Sequence, residues 1–330
     1  MKAVLLALNP RTPEPLEWTD TPPALRPVLD RPLVHHVIER LVDCGITNLV
    51  VVTDAQHDWP QATIGDGRRW GCSVTYVHSD GERGVVEAVR AAASESADAL
   101  VALAAADRLP LCDKDPSAGC ELVVVDRIDD GEMTRWGGWA MLPAACISEA
   151  AAGSSLSSLG DALVAIGEAR GRCVTSDSWL DARGAGALLD SNRRALDSHQ
   201  RGLLSIGREV EPGIWVGRNV RLGPGVSLVA PVFIGENTSI GARSTVGPHA
   251  AIGSACLVDA DASVERSVVT AGTYVGEGLN VADAIVDGPT LVNVRLGASV
   301  RIDDGWLLAG TAGSRGVGAT TPITGGPAAG

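Results

Sequence analysis

Two stretches of this sequence hold residue types that could do chemistry in a binding pocket. The first is Asn9-Pro10-Arg11-Thr12-Pro13, which follows the apolar run Val4, Leu5, Leu6 and Leu8. A loop that cradles phosphate presents backbone N–H groups, and glycine lets such a chain curl close to its ligand. Pro10, Pro13 and Pro15 remove three of those donors, because proline has no N–H. Arg11 keeps a guanidinium, a group that suits phosphate oxygens. The second stretch is the apolar run Ala99 to Ala104 with Asp107 close behind it. A carboxylate at the C-terminal edge of a parallel strand faces the place where such sheets bind ligands, although aspartate is also common in plain turns. Lysine occurs only at Lys2 and Lys114, so arginine must supply nearly all the positive charge.

The elements around these residues follow from the hydrophobic pattern. Val4 to Leu8 reads as a buried parallel strand. Asp30 and Pro32 signal a helix start, and Leu33, Val37 and Leu41 recur every fourth residue until Gly45 stops it. Asn48 to Thr53 is a second apolar strand, which completes a βαβ unit; such units bind ligands at the loop after the first strand. Cys72 to Val77 alternates like a strand, and a helix is expected over Val85 to Ala93. The 330 residues suggest two domains. A net charge of −13 argues against a nucleic-acid partner. No long apolar run or signal peptide is evident, so a cytoplasmic protein without a membrane partner is expected. The seven cysteines lack Cys-x-x-Cys spacing, which argues against a zinc site or a disulfide framework.

The opening MKAVLLALNPRTPEPLEWTDTPPALRPVLDRPL resembles the start of the sugar-1-phosphate nucleotidyltransferases, the NDP-sugar pyrophosphorylases. Pro22, Pro27, Val28, Arg31, Pro32 and Leu33 fall where that family places such residues. Asn9 and Arg11 stand where the family's loop has glycines, Pro13 where it has arginine, and Pro23 where it has the lysine of Pro-Lys; Thr12 is retained. Gly84-Val85-Val86-Glu87-Ala88 matches the family's base-binding Gly-Thr-x-Gly-Ala only at Gly84 and Ala88. Gly138 falls at the sugar-binding glycine. Ser178-Trp-Leu-Asp-Ala-Arg-Gly184 resembles the family's Trp-x-Asp-x-Gly-Thr, whose aspartate is a metal ligand. The resemblance implies nucleotide contacts at Ala7, Asn9, Arg11, Thr12, Gly84 and Ala88, a sugar contact at Gly138, and a Mg²⁺ held by Asp107 and Asp181. Arg11 would carry any catalytic charge. The family's Glu-Lys-Pro sugar-phosphate motif has no counterpart, and Lys114 is the one lysine that could stand in. Trp136, Trp139 and Trp179 are expected near the pocket mouth.

From Val216 onward aliphatic residues recur every sixth position, at Leu222, Leu228, Ile234, Ile240, Val246, Ile252, Val258 and Val264. Small or β-branched residues follow four places after each. This resembles the hexapeptide repeat of left-handed parallel β-helices, in which each hexad forms one face of a triangular prism and stacked coils bury a common core. The register breaks after Val264 and resumes loosely through Val275 and Val281 to Ile302. The expected fold is therefore α/β, a Rossmann-like nucleotidyltransferase-type parallel or mixed sheet over residues 1–200, then a left-handed parallel β-helix over 201–309, then a disordered tail over 310–330. The implied activity is NTP plus sugar-1-phosphate to NDP-sugar and pyrophosphate, in polysaccharide or cell-envelope metabolism. The altered loop points instead to a weakly active or inactive paralogue that binds a nucleotide or nucleotide sugar. An active Mg²⁺-dependent enzyme is the first alternative. Acyl transfer with His249 as base, the lone histidine of the repeat, is the second. Homo-oligomerisation or a partner enzyme on the β-helix is expected by analogy.

Overall fold

The computed structural model describes residues 1–8, 19–54, 58–94, 100–111, 121–128, 133–153, 155–176, 178–197 and 207–311. The expected tail beyond residue 311 lies outside the described residues. The α/β part contains β1 (Lys2–Ala7), α1 (Leu33–Asp43), β2 (Asn48–Asp54), α2 (Trp59–Ile64), β3 (Ser73–Ser79), α3 (Gly81–Ser94), β4 (Leu100–Ala105), β5 (Arg108–Pro110), β6 (Leu122–Ile128) and β7 (Met133–Pro143). It continues with α4 (Ala144–Ala150), α5 (Leu156–Ala169), β8 (Cys173–Thr175), β9 (Trp179–Asp181) and α6 (Ala185–Asp197).

The main sheet runs β8-β6-β7-β4-β1-β2-β3. β1 sits inside it, parallel to both β2 and β4, while β7 runs antiparallel between β4 and β6. That position explains the unbroken apolar run of β1. Ala3, Leu5 and Ala7 face one core with α1, and Val4 and Leu6 face a second with α3 and α5. Successive side chains of a strand point to opposite faces, so a doubly covered strand must be apolar throughout. α1 starts at Leu33 behind Pro32 and ends before Gly45, whose φ of +83° suits only a residue without Cβ. α3 begins at Gly81, four residues before the expected start, so Gly84 lies within the helix rather than ahead of it. A Cβ at Gly84 would come 3.3 Å from Ser79 Cβ, so the glycine lets the helix turn close over the end of β3.

The C-terminal part is a three-sided parallel β-helix. Val232 pairs with Ala250, Ser239 with Leu257 and Thr245 with Ser263, each eighteen residues on, which is three hexads per coil. Ile234, Ile240, Val246, Ile252, Val258 and Val264 are buried along its axis, and Thr238, Ser244, Ala250, Cys256 and Ala262 are buried at the corners. Leu222 is exposed, because no coil stacks below the first turn. The register break has a structural form. Ala251 pairs with Val268, Leu257 with Tyr274 and Ser263 with Asn280, seventeen residues on, so one coil is a residue short. The loose resumption expected through Ile302 is corrected by the structure. From Thr290 the chain folds back as an antiparallel hairpin, Thr290–Asn293 with Ala298–Arg301, and Leu308–Gly310 also pairs antiparallel. The turn that ends the coils passes through Gly288 at φ +54°.

One outer face of the β-helix docks on the α/β part. Phe233, the single phenylalanine of the chain, shares a core with α1 and α6, together with Ala251, Val268 and Ile285. A short hairpin, Pro27–Val28 with Arg31–Pro32, carries Leu29 and Asp30 at its tip. Leu29 is fully buried, and the Asp30 carboxylate accepts a hydrogen bond from Ser254 Oγ. A Cβ at Gly253 would lie 2.9 Å from an Asp30 oxygen and 2.5 Å from the backbone N of Ala271, so this rung admits only glycine.

Candidate functional site

Asp107 and Asp181 are brought together by two short strands that lie outside the main sheet. β5 and β9 pair antiparallel, with Arg108 directly opposite Asp181. The backbone N–H of Asp181 donates to Ser191 Oγ, and that hydroxyl donates to the Asp181 carbonyl, which ties β9 to α6. Above the ribbon, at the C-terminal ends of β1 and β4, lies a cavity of about 340 Å³. Leu6, Leu8, Asp107, Trp136, Gly138 and Arg183 are among the residues that line it, and the start of α5 closes one side. Gly138 has φ of +93°, and a Cβ there would meet Ala105 Cβ at 3.1 Å. The neighbouring Gly137 leaves room for the Trp179 ring, which a Cβ would approach within 2.6 Å.

The charges of Asp181 and Arg108 beside this cavity are already matched. Arg183 curls back on Asp181: its backbone N–H donates to Oδ1 at 2.9 Å, its Nε lies 3.1 Å from both oxygens, and its Nη2 donates to Oδ2 at 2.5 Å. Arg108 Nη1 donates to Asp126 Oδ2 at 2.6 Å and to the Gly137 carbonyl at 3.1 Å. Its Nε lies 3.1 Å from Asp181 Oδ2, close enough to attract but not aligned as a hydrogen bond. The Arg108 guanidinium lies 4.0 Å from the centre of the Trp179 ring, a cation–π contact, and Trp139 Nε1 donates to the Arg108 carbonyl. Burial raises the Asp181 pKa, but Arg183 and then Arg108 outweigh it and hold the carboxyl below its ordinary range. Asp107 goes the other way: burial pushes it up and the Asp181 charge adds, against partial relief from Arg183 and Arg108.

A divalent cation does not fit this arrangement. Magnesium needs carboxylate oxygens at roughly 2.0–2.1 Å in octahedral geometry, whereas both Asp181 oxygens already face guanidinium or backbone N–H groups. No cluster of three or more His, Cys, Asp or Glu side chains among the described residues could hold a metal.

Of the residues expected at the site, Asp107, Asp181 and Gly138 do come together. Asn9, Arg11, Thr12 and Lys114 lie outside the described residues. Ala7 is buried at the end of β1. Gly84 and Ala88 lie on α3 and do not line this cavity. Glu87, one turn from Gly84, is exposed and paired with Arg83. Of the three tryptophans, Trp136 lines the cavity, while Trp139 and Trp179 support Arg108 from behind. His249 is a turn residue of the β-helix at φ +54°, and its Nε2 lies 2.8 Å from Asp197 Oδ1 on α6. It thus belongs to the contact between the two parts. Arg108, Asp126 and Arg183 went unnoticed in the sequence. One signal was available for Arg183: it occupies the glycine position of the Trp-x-Asp-x-Gly-Thr pattern.

Residues 14–109 match the family model described as nucleotidyl transferase. A glucose-1-phosphate thymidylyltransferase from Actinoplanes sp. is 31% identical over 111 residues, which is 33% of this chain and 36% of that protein. The chain therefore matches about a third of the length of this curated relative. A Bacillus anthracis crystal structure, named as a glucose-1-phosphate thymidylyltransferase and holding sucrose, aligns at 18% identity and a TM-score of 0.47. That alignment covers 61% of this chain and 98% of the other. The matched segment takes in α1, β2, β3, α3 and β4, so this part of the chain is similar to a nucleotidyl transferase domain, and the Actinoplanes relative supports a likeness to the sugar-1-phosphate nucleotidyltransferases.

Proposed function

We propose that this protein binds a nucleotide sugar or sugar phosphate in the cavity above β5 and β9 and works as a weakly active or inactive regulatory paralogue. The observation that carries the reading is the clamp on Asp181. In a pyrophosphorylase of this family that carboxylate should be free for the metal that aligns the reacting phosphates; here Arg183 and Arg108 hold it. The missing N–H donors at Pro10, Pro13 and Pro15 favour the same conclusion. The second reading is an active nucleotidyltransferase, favoured by the family match and by the Actinoplanes relative. Assembly of copies through the β-helix belongs to either reading. A panel of NTPs and NDP-sugars in thermal-shift and pyrophosphate-release assays separates the two. A ligand at a hundredfold its Kd adds about 2.7 kcal/mol of stability. A stabilising NDP-sugar without pyrophosphate release is the expected result; steady release from an NTP and a sugar-1-phosphate would select the active enzyme.

A further inference from the structure

We propose that the Arg183 guanidinium is a tethered cation that stands between Asp107 and Asp181 in place of a divalent metal, so that the cavity meets an anionic ligand through arginine alone. The exclusion of metal stands on geometry by itself; that the anion is a phosphate ester rests on the function proposed above.

Three observations carry it. A carboxylate offers about four lone pairs, and those of Asp181 are met by the Arg183 backbone N–H, Nε and Nη2, with Arg108 Nε beside them. The carboxylates around Arg183 are also matched in number by guanidiniums: Asp107, Asp126 and Asp181 are set against Arg108, Arg135 and Arg183, with Arg135 Nη2 3.8 Å from Asp126, while Asp161 on the cavity wall stands outside this group. A divalent ion would add two charges to this matched group and would have to expel a guanidinium held by a short covalent tether. Finally, Arg183 keeps 38% of its side-chain surface and lines the cavity. Its Nε and Nη2 face Asp181, which leaves further N–H donors of the fork for phosphate oxygens.

The test uses Mn²⁺ alone, read by electron paramagnetic resonance on the full chain, and so is separate from any failure of nucleotide-sugar binding. The wild-type protein is expected to show no stoichiometric Mn²⁺ site. Arg183→Gly should uncover the carboxylate pair and create one site, at least about tenfold tighter than any in the wild type. Adding Asp181→Asn should abolish that site. Arg183→Gln, closer in size, serves if the glycine variant is unstable by circular dichroism. A wild-type site that Asp181→Asn releases would overturn the proposal. So would folded Arg183→Gly and Arg183→Gln proteins that both fail to gain manganese.

Discussion

The β-helix and the cavity treat charge in opposite ways. In the β-helix every inward position is aliphatic or small, and ions stay on the outside, as in the exposed pair Arg243–Asp261 that spans adjacent coils. In the cavity the ions are the interior. Arg108 and its partners Asp126 and Asp181 keep only 10%, 12% and 17% of their side-chain surface. The first design gains its stability from area removed from water, repeated coil after coil. The second holds charges that are costly to desolvate and tolerable only while all are paired. Such an arrangement is a poor way to add stability, which is why we read the cluster as serving a ligand.

The comparison breaks most sharply at Arg108. Arg108→Ala leaves Asp126 with only the more distant Arg135 and Asp181 with Arg183 alone, and it should cost about 3–5 kcal/mol in urea unfolding at neutral pH. A loss within the range of a surface substitution would mean that the cluster is solvated and the contrast false. A smaller effect sharpens the comparison by using a buried group whose pKa is set mainly by burial rather than by an ion pair. His36 is buried on α1, its Nε2 faces the Val28 carbonyl at 3.0 Å, and burial lowers its pKa to about 4. Because the unfolded chain takes up this proton near pH 6.5 and the folded one does not, stability should fall as pH drops from about 6.5 to about 4. His35 is shifted the same way and adds to the slope. His36→Asn should flatten the slope in pH-dependent melts, and an unchanged slope would assign it to other groups. Asp181, held below the ordinary carboxylate range, contributes at lower pH: its stabilisation is present above about pH 4 and is lost as pH falls through its folded value. The smallest effect is expected at Arg243→Ala, which should leave the denaturation midpoint unchanged because an exposed pair contributes little. A clear drop there would show that rung-to-rung ion pairs do support the coils.

The parts that could be read in advance share a feature: their signal is local and repeated. The hexads fix the inward residues of the β-helix, because an eighteen-residue coil returns each sixth residue to the same corner or face. The run Val4 to Leu8 marks a strand covered on both sides for a similar reason. The docking face was legible in principle. Trp215, Phe233 and Ala251 occupy the outward position on one prism face, eighteen residues apart, where the other faces carry residues such as Arg221, Ser239 and Thr245. That three-hexad spacing of apolar outward residues predicts a covered side.

By itself the sequence determined the two architectures and the strand–helix–strand frame at the start, since each of these follows from periodicity, whereas the meeting of Asp107 with Asp181 was implied only by the family resemblance. Only the tertiary structure decided what that meeting amounts to. Asp126 lies on β6, Arg108 on β5 and Arg183 beyond β9, and no spacing along the chain links the three. They become neighbours because β5 and β9 pair beside the main sheet, which sets Arg108 2.6 Å from Asp126 and 3.1 Å from Asp181. Electrostatic pairing depends on distance in space and on burial, and neither is written in the order of the residues.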